Sequence, residues 1–108
     1  MEERVKIVVT VPLTHAAQLR ERIGSAGAGR IGAYSFCSFS IQGIGRFRPD
    51  AHASPAIGSK EILEEVVEER IEVQCNKENT KEIVDLIRKY HPYEEPCIDV
   101  YSLLSFPK

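Results

Sequence analysis

The chain has 108 residues and a mass of 12.1 kDa, enough for one domain spanning residues 1–108 and too short for a second core. Its 43% hydrophobic and 28% charged residues describe a globular chain rather than a disordered or fibrous one. Fourteen basic against sixteen acidic residues leave a net charge of −2, which argues against a nucleic-acid partner, whose binders carry a basic face.

The first element is a strand. Val5, Ile7, Val9 and Val11 alternate with Arg4, Lys6, Val8 and Thr10, a period of two with one face buried. Pro12 stops it. A helix follows, with Thr14 as its expected N-cap and Ala16, Leu19, Ile23 and Ala26 on its apolar stripe. Gly27 supplies a left-handed residue to end it. A second strand is expected over about 33–41. Tyr34 and Phe36 fall on one parity and Cys37, Phe39 and Ile41 on the other, which requires either two covered faces or a bulge near Cys37. This aromatic strand is a candidate subunit contact.

From Gln42 to Ser59 the chain is rich in Gly, Pro and Ala and reads as a long functional or interfacial connection. A third strand is expected within 61–75, with Val67, Ile71, Val73 and Cys75 on one parity. Glu69 shares that inward parity, so its carboxylate must be paired, lie beyond the core or face a cleft. The second helix is expected over 77–90, capped by Asn76, with Ile83, Val84, Ile87 and Tyr90 as its stripe. Residues 97–103 complete a fourth strand. Two βαβ halves describe an α+β fold, the ferredoxin-like βαββαβ sandwich with an antiparallel sheet and both helices on one face. The other sheet face stays open, and burial by self-association is its natural outcome.

No apolar run approaches the roughly 20 residues that span a bilayer, and the N-terminus passes straight into the first strand, so neither a membrane partner nor a signal peptide is expected. Cys37, Cys75 and Cys97 are widely spaced and form no Cys-x-x-Cys pair. Buried thiols in a reducing cytoplasm are the expectation.

Gly27-Ala28-Gly29-Arg30-Ile31-Gly32 matches the letters of the dinucleotide fingerprint but not its context, which requires a strand before and a helix after. A weaker anion-site reading remains. Arg30, Arg46 and Arg48 flank glycines whose backbone N–H groups can approach an anion, while guanidinium groups grip phosphate or carboxylate. The structural alternative pairs these arginines with Glu64, Glu65, Glu68 or Glu69. The densest polar cluster is His91-Pro92-Tyr93-Glu94-Glu95-Pro96, a segment stiffened by two prolines. Its imidazole, phenol and carboxylates suit metal or acid–base chemistry, yet spacing supplies about two of the three or four ligands a zinc site needs. His15 and His52 have no local partner. No catalytic motif occurs, and no catalytic residue or cofactor is assigned.

Residues 26–39, from Ala26-Gly27 through Gly32-Ala33-Tyr34 to Cys37-Ser38-Phe39, resemble an A-G-x-G-x-I-G-x-Y-x-x-C-S-F segment. Gly43-Ile44-Gly45-Arg46-Phe47-Arg48-Pro49 resembles a G-x-G-x-F-x-P loop. Pro55-Ala56-Ile57-Gly58, Glu69-Arg70-Ile71-Glu72 and His91-Pro92-Tyr93-Glu94-Glu95 follow in order. Over nearly its whole length the sequence is similar to the domain inserted in bacterial NIF-three-like (YqfO-type) proteins, here expected to stand alone. The resemblance implies a domain of the kind shared with PII signalling proteins and CutA copper-tolerance proteins, which assemble as trimers. The dinuclear metal centre of that family belongs to flanking halves whose motifs this sequence lacks, so no hydrolase activity carries over.

The resulting expectation is a non-catalytic, cytoplasmic homotrimer that works as a regulatory or interaction module. A small anionic ligand would sit in an inter-subunit cleft between Arg30, Arg46 or Arg48 and His91, Tyr93 or Glu94. The alternative is a copper- or zinc-handling protein of the CutA sort, using His91, Glu94 or a cysteine.

Overall fold

A computed structural model describes residues 3–106. Strand β1 (Arg4–Pro12) leads into helix α1 (Leu13–Ser25), followed by β2 (Phe39–Phe47), β3 (Glu64–Asn76), helix α2 (Thr80–Tyr90) and β4 (Ile98–Leu103). The sheet order is β2-β3-β1-β4, with every neighbouring pair antiparallel. This is the βαββαβ sandwich that the two βαβ halves imply.

Register explains which face is covered. Val5, Ile7 and Val9 of β1 oppose Cys75, Val73 and Ile71 of β3. These residues pack with Leu19 and Ile23 of α1 and Ile83 and Ile87 of α2 into one buried cluster. Each fully buried Ile or Leu contributes about 1.5–3 kcal/mol relative to exposure, so this layer dominates stability. Glu69, opposite Val11 on the same face, is answered by Arg20 of α1 in an ion pair. Of the three outcomes open to an inward carboxylate, pairing is the one observed.

Helix α1 ends as its glycine suggests. Ala28 N–H donates to Ile23 O at 3.0 Å and Gly27 N–H to Gly24 O at 3.1 Å, with Gly27 at φ 102°, a Schellman ending. The expected caps differ. Thr14 lies inside the helix, its hydroxyl 2.9 Å from His15 Nδ1. Asn76 instead accepts from Arg4 Nη1 at 2.9 Å, and a 3₁₀ turn over Lys77–Asn79 precedes α2.

The second strand is the main correction. It begins at Phe39, not near residue 33, and continues through Gly43 and Gly45 to Phe47. Residues 33–38 form a turn in which Phe36 takes φ 58°, and Tyr34 is 76% exposed. The parity conflict thus reflects a loop that folds back, not a bulge in a strand. Its anchor is Gly29, whose N–H donates to Gln74 O at 2.7 Å and whose carbonyl accepts from Cys37 N–H at 2.9 Å. A Cβ at Gly29 would strike the Cys37 carbonyl. The long connection consequently spans 48–63. The cysteines also divide: Cys75 is buried, Cys37 half-buried and Cys97 exposed.

The uncovered sheet face carries Phe39 and Ile41, opposite Glu72 and Arg70, and Tyr101, opposite Lys6. All three are at least half exposed. Among the described residues no helix is long and apolar enough to cross a membrane.

Candidate functional site

The segment after α2 returns across the end of β1, and His91 fastens it there. His91 is buried, and its ring atom Nε2 lies 2.7 Å from the Thr10 carbonyl. Its Nδ1 accepts from Tyr93 N–H at 3.1 Å. These partners assign the neutral tautomer with the proton on Nε2. Burial holds the imidazole below its ordinary pKa, opposed by the Thr10 carbonyl and the Glu68 charge. With both nitrogens committed, His91 has no lone pair for a metal in this conformation.

Tyr93 turns its hydroxyl onto Glu68 Oε2 at 2.6 Å. Burial, followed by the bond to Glu68, pushes the phenol well above its ordinary pKa, so it remains a donor. The Tyr93 ring also meets Phe47 edge-on, with centroids 5.4 Å apart. The Glu68 side chain lies over Gly45, where a Cβ would collide with its carboxylate. That contact explains a glycine in the middle of β2. Farther along, Glu94 Oε1 accepts from Ser54 N–H at 3.1 Å and ties the segment to the long connection.

Together these elements enclose a cleft of about 670 Å³, lined by Arg46, Phe47, Arg48, Glu68, Tyr93 and Glu94, with Pro55, Ala56 and Ile57 on the connection side. Arg46, Arg48, Tyr93 and Glu94 therefore share one cleft, and His91 supports its wall. Arg30 is not with them. Its backbone carbonyl accepts from Arg4 Nη2 at 2.7 Å, at the opposite end of β1 from Thr10. Six residues of strand separate those ends, about 20 Å at 3.3 Å per residue.

The two clefted arginines are occupied. Arg46 Nε pairs with Glu65 at 2.6 Å and Arg48 Nη2 with Asp50 at 3.4 Å. Four carboxyl-bearing residues, Asp50, Glu68, Glu94 and Glu95, line the cleft against these two guanidinium groups. Among the described residues no three His, Cys, Asp or Glu side chains converge as a metal site requires. In the sequence Glu68 stands out only as an arginine partner and Gly45 only as a glycine of the anion loop, while Thr10 and Phe47 carry no signal of a role at the site. A glycine placed opposite an acidic strand was the available signal, but it is visible only once β2 is extended to Phe47.

No protein-family model matches the chain. It is 45% identical over 104 residues to a GTP cyclohydrolase 1 type 2 homolog of Halalkalibacterium halodurans, covering 96% of this chain and 28% of that protein. The GTP cyclohydrolase 1 type 2 homolog of Bacillus subtilis is 43% identical over 102 residues, with 94% and 27% covered. The crystal structure of a Bacillus cereus protein related to NIF3 superposes with a TM-score of 0.82 at 42% identity, covering 94% of this chain and 26% of that one. The periplasmic divalent cation tolerance protein CutA of Archaeoglobus fulgidus superposes with a TM-score of 0.70 at 19% identity, covering 97% and 88%; this second likeness is one of fold. The chain thus spans little more than a quarter of the curated relatives it matches; in sequence it is similar to a segment of these NIF3-related proteins, and its α+β fold is the one they share with CutA.

Proposed function

We propose that this chain is a self-associating, non-catalytic interaction module, a homotrimer whose clefts receive a small ligand. The observation that carries the reading is the apolar surface left without cover. Phe39, Ile41 and Tyr101 stand on the open sheet face, and Ile44 and Val67 on the arm are each more than half exposed. That arm is only two strands wide, because β2 and β3 continue as Ile44–Phe47 and Glu64–Val67 past the end of β1 at Pro12. A two-stranded ribbon is marginal alone in water, and an exposed apolar face of this kind marks a contact surface.

An anionic ligand is the finer part of the proposal. It would draw Arg46 and Arg48 away from Glu65 and Asp50, so binding competes with surface ion pairs. Such pairs are worth about 0.2–1 kcal/mol each, less than the charge-assisted bonds a ligand would offer at about 1.5–3 kcal/mol. Arg30 would join only from a neighbouring subunit.

Light scattering on Ile41→Glu and Tyr101→Glu variants tests the association. Both are expected to reduce the assembly to monomers while retaining the wild-type circular dichroism spectrum. Undiminished mass in both variants would rule out the open face as the contact.

A further inference from the structure

The cleft contains a carboxylate, Glu68, that no cationic side chain among the described residues pairs with. Glu68 is only 6% exposed, and its sole hydrogen bond there comes from the Tyr93 hydroxyl onto Oε2. No lysine, arginine or histidine among the described residues forms an ion pair with it, although its neighbour Glu69, on the opposite, helix-covered face of β3, has Arg20. Oε1 lies across Gly45 and makes no hydrogen bond to the described residues. Among the described residues no fully buried side-chain oxygen lacks a partner, so Oε1 keeps some exposure, in a residue that lines the cleft. Burying a carboxylate without a cation is costly, and such groups are retained where something binds them.

We infer that Glu68 is the recognition group of a site for a small organic cation, an ammonium on an apolar stem. The walls define that chemistry. Phe47 and Tyr93 present aromatic rings beside the carboxylate, which attract ammonium as well as alkyl groups. Pro55, Ala56 and Ile57 supply an apolar wall on the connection side. A bare divalent ion would need converging oxygen ligands, and the carboxylates here do not converge. Tyr93 acts as the positioning residue. Its hydroxyl occupies Oε2 and leaves Oε1 for the ligand, and His91 in turn fixes Tyr93 through the backbone bond. The inference does not rest on the anion reading, since neither Arg46 nor Arg48 takes part.

Calorimetric titration of the full chain with n-butylammonium chloride tests it, with sodium butyrate as the same stem carrying the opposite charge. Butylammonium is expected to bind saturably at one site per chain. Glu68→Gln should weaken it at least tenfold, while Glu82→Gln, the same charge change on the exposed side of α2, should leave it unaltered. Equal weakening by the two variants would reveal general attraction to acidic surface and overturn the proposal. Binding of butyrate alone would support the arginine reading and overturn this one. If Glu68→Gln alters the sedimenting mass instead of amine binding, the cation comes from a second copy and the free-ligand proposal falls. Should Glu68→Gln fail to fold, amide shifts of the wild-type protein decide. Changes centred on Gly45, Phe47 and Tyr93 are expected, and changes elsewhere overturn the assignment.

Discussion

His91 connects three parts of the molecule through two hydrogen bonds, and its chemistry makes that connection pH-dependent. Protonated Nδ1 cannot accept from Tyr93 N–H, so only the neutral ring supports the observed wall. Its folded pKa lies below the ordinary 6.5, so the unfolded chain binds more protons between those two values. The stabilisation is therefore complete above about pH 6.5 and is lost as pH falls toward the folded pKa. Urea unfolding at neutral and mildly acidic pH should show this loss, and a His91→Ala variant should lack that component. His91→Ala should also destabilise at neutral pH by about 2–4 kcal/mol, from the cavity and two lost hydrogen bonds. Gly45→Ala tests the next contact: the new Cβ pushes the Glu68 carboxylate off Tyr93, at a cost of about 1–3 kcal/mol. A variant as stable as wild type would show that Glu68 is not held in place.

At the scale of elements, the parts governed by period alone were legible in the amino-acid order. The alternation of Val5, Ile7, Val9 and Val11 and the stripe of Ile83 and Ile87 each identify one buried face, and all six are buried. The end of α1 was equally readable, because Gly27 takes the positive φ that few other residues tolerate. The second strand was not. Tyr34 and Phe36 have strand-forming side chains, but the backbone around them is set by the non-local Gly29 bond to Gln74. Conversely, Gly43 and Gly45 suggest a loop, yet β3 pairs with both. The cleft was half legible for the same reason: Tyr93 and Glu94 stand in a dense motif, whereas Glu68 acquires its role only from register. Gly29→Ala is the sharpest test at this scale. With φ at 85° and the Cys37 carbonyl in the way, it should cost more than about 2 kcal/mol and lower the melting temperature by several degrees. A change below about 0.5 kcal/mol, the level of an ordinary surface substitution, would refute the anchoring role of Gly29.

The whole molecule is elongated, with extents of 50 × 22 × 21 Å and a radius of gyration of 15.1 Å, against about 13 Å for a compact chain near this length. The excess comes from the β2–β3 arm, whose Ile44 and Val67 side chains have no second layer over them. A chain with so much uncovered apolar surface is expected to find it in copies of itself. Sedimentation equilibrium of the wild-type chain at micromolar concentration measures this directly. A homotrimer gives three times the 12.1 kDa chain mass, independent of loading concentration; a mass of one chain, with the arm and open face still in water, would rule the trimer out.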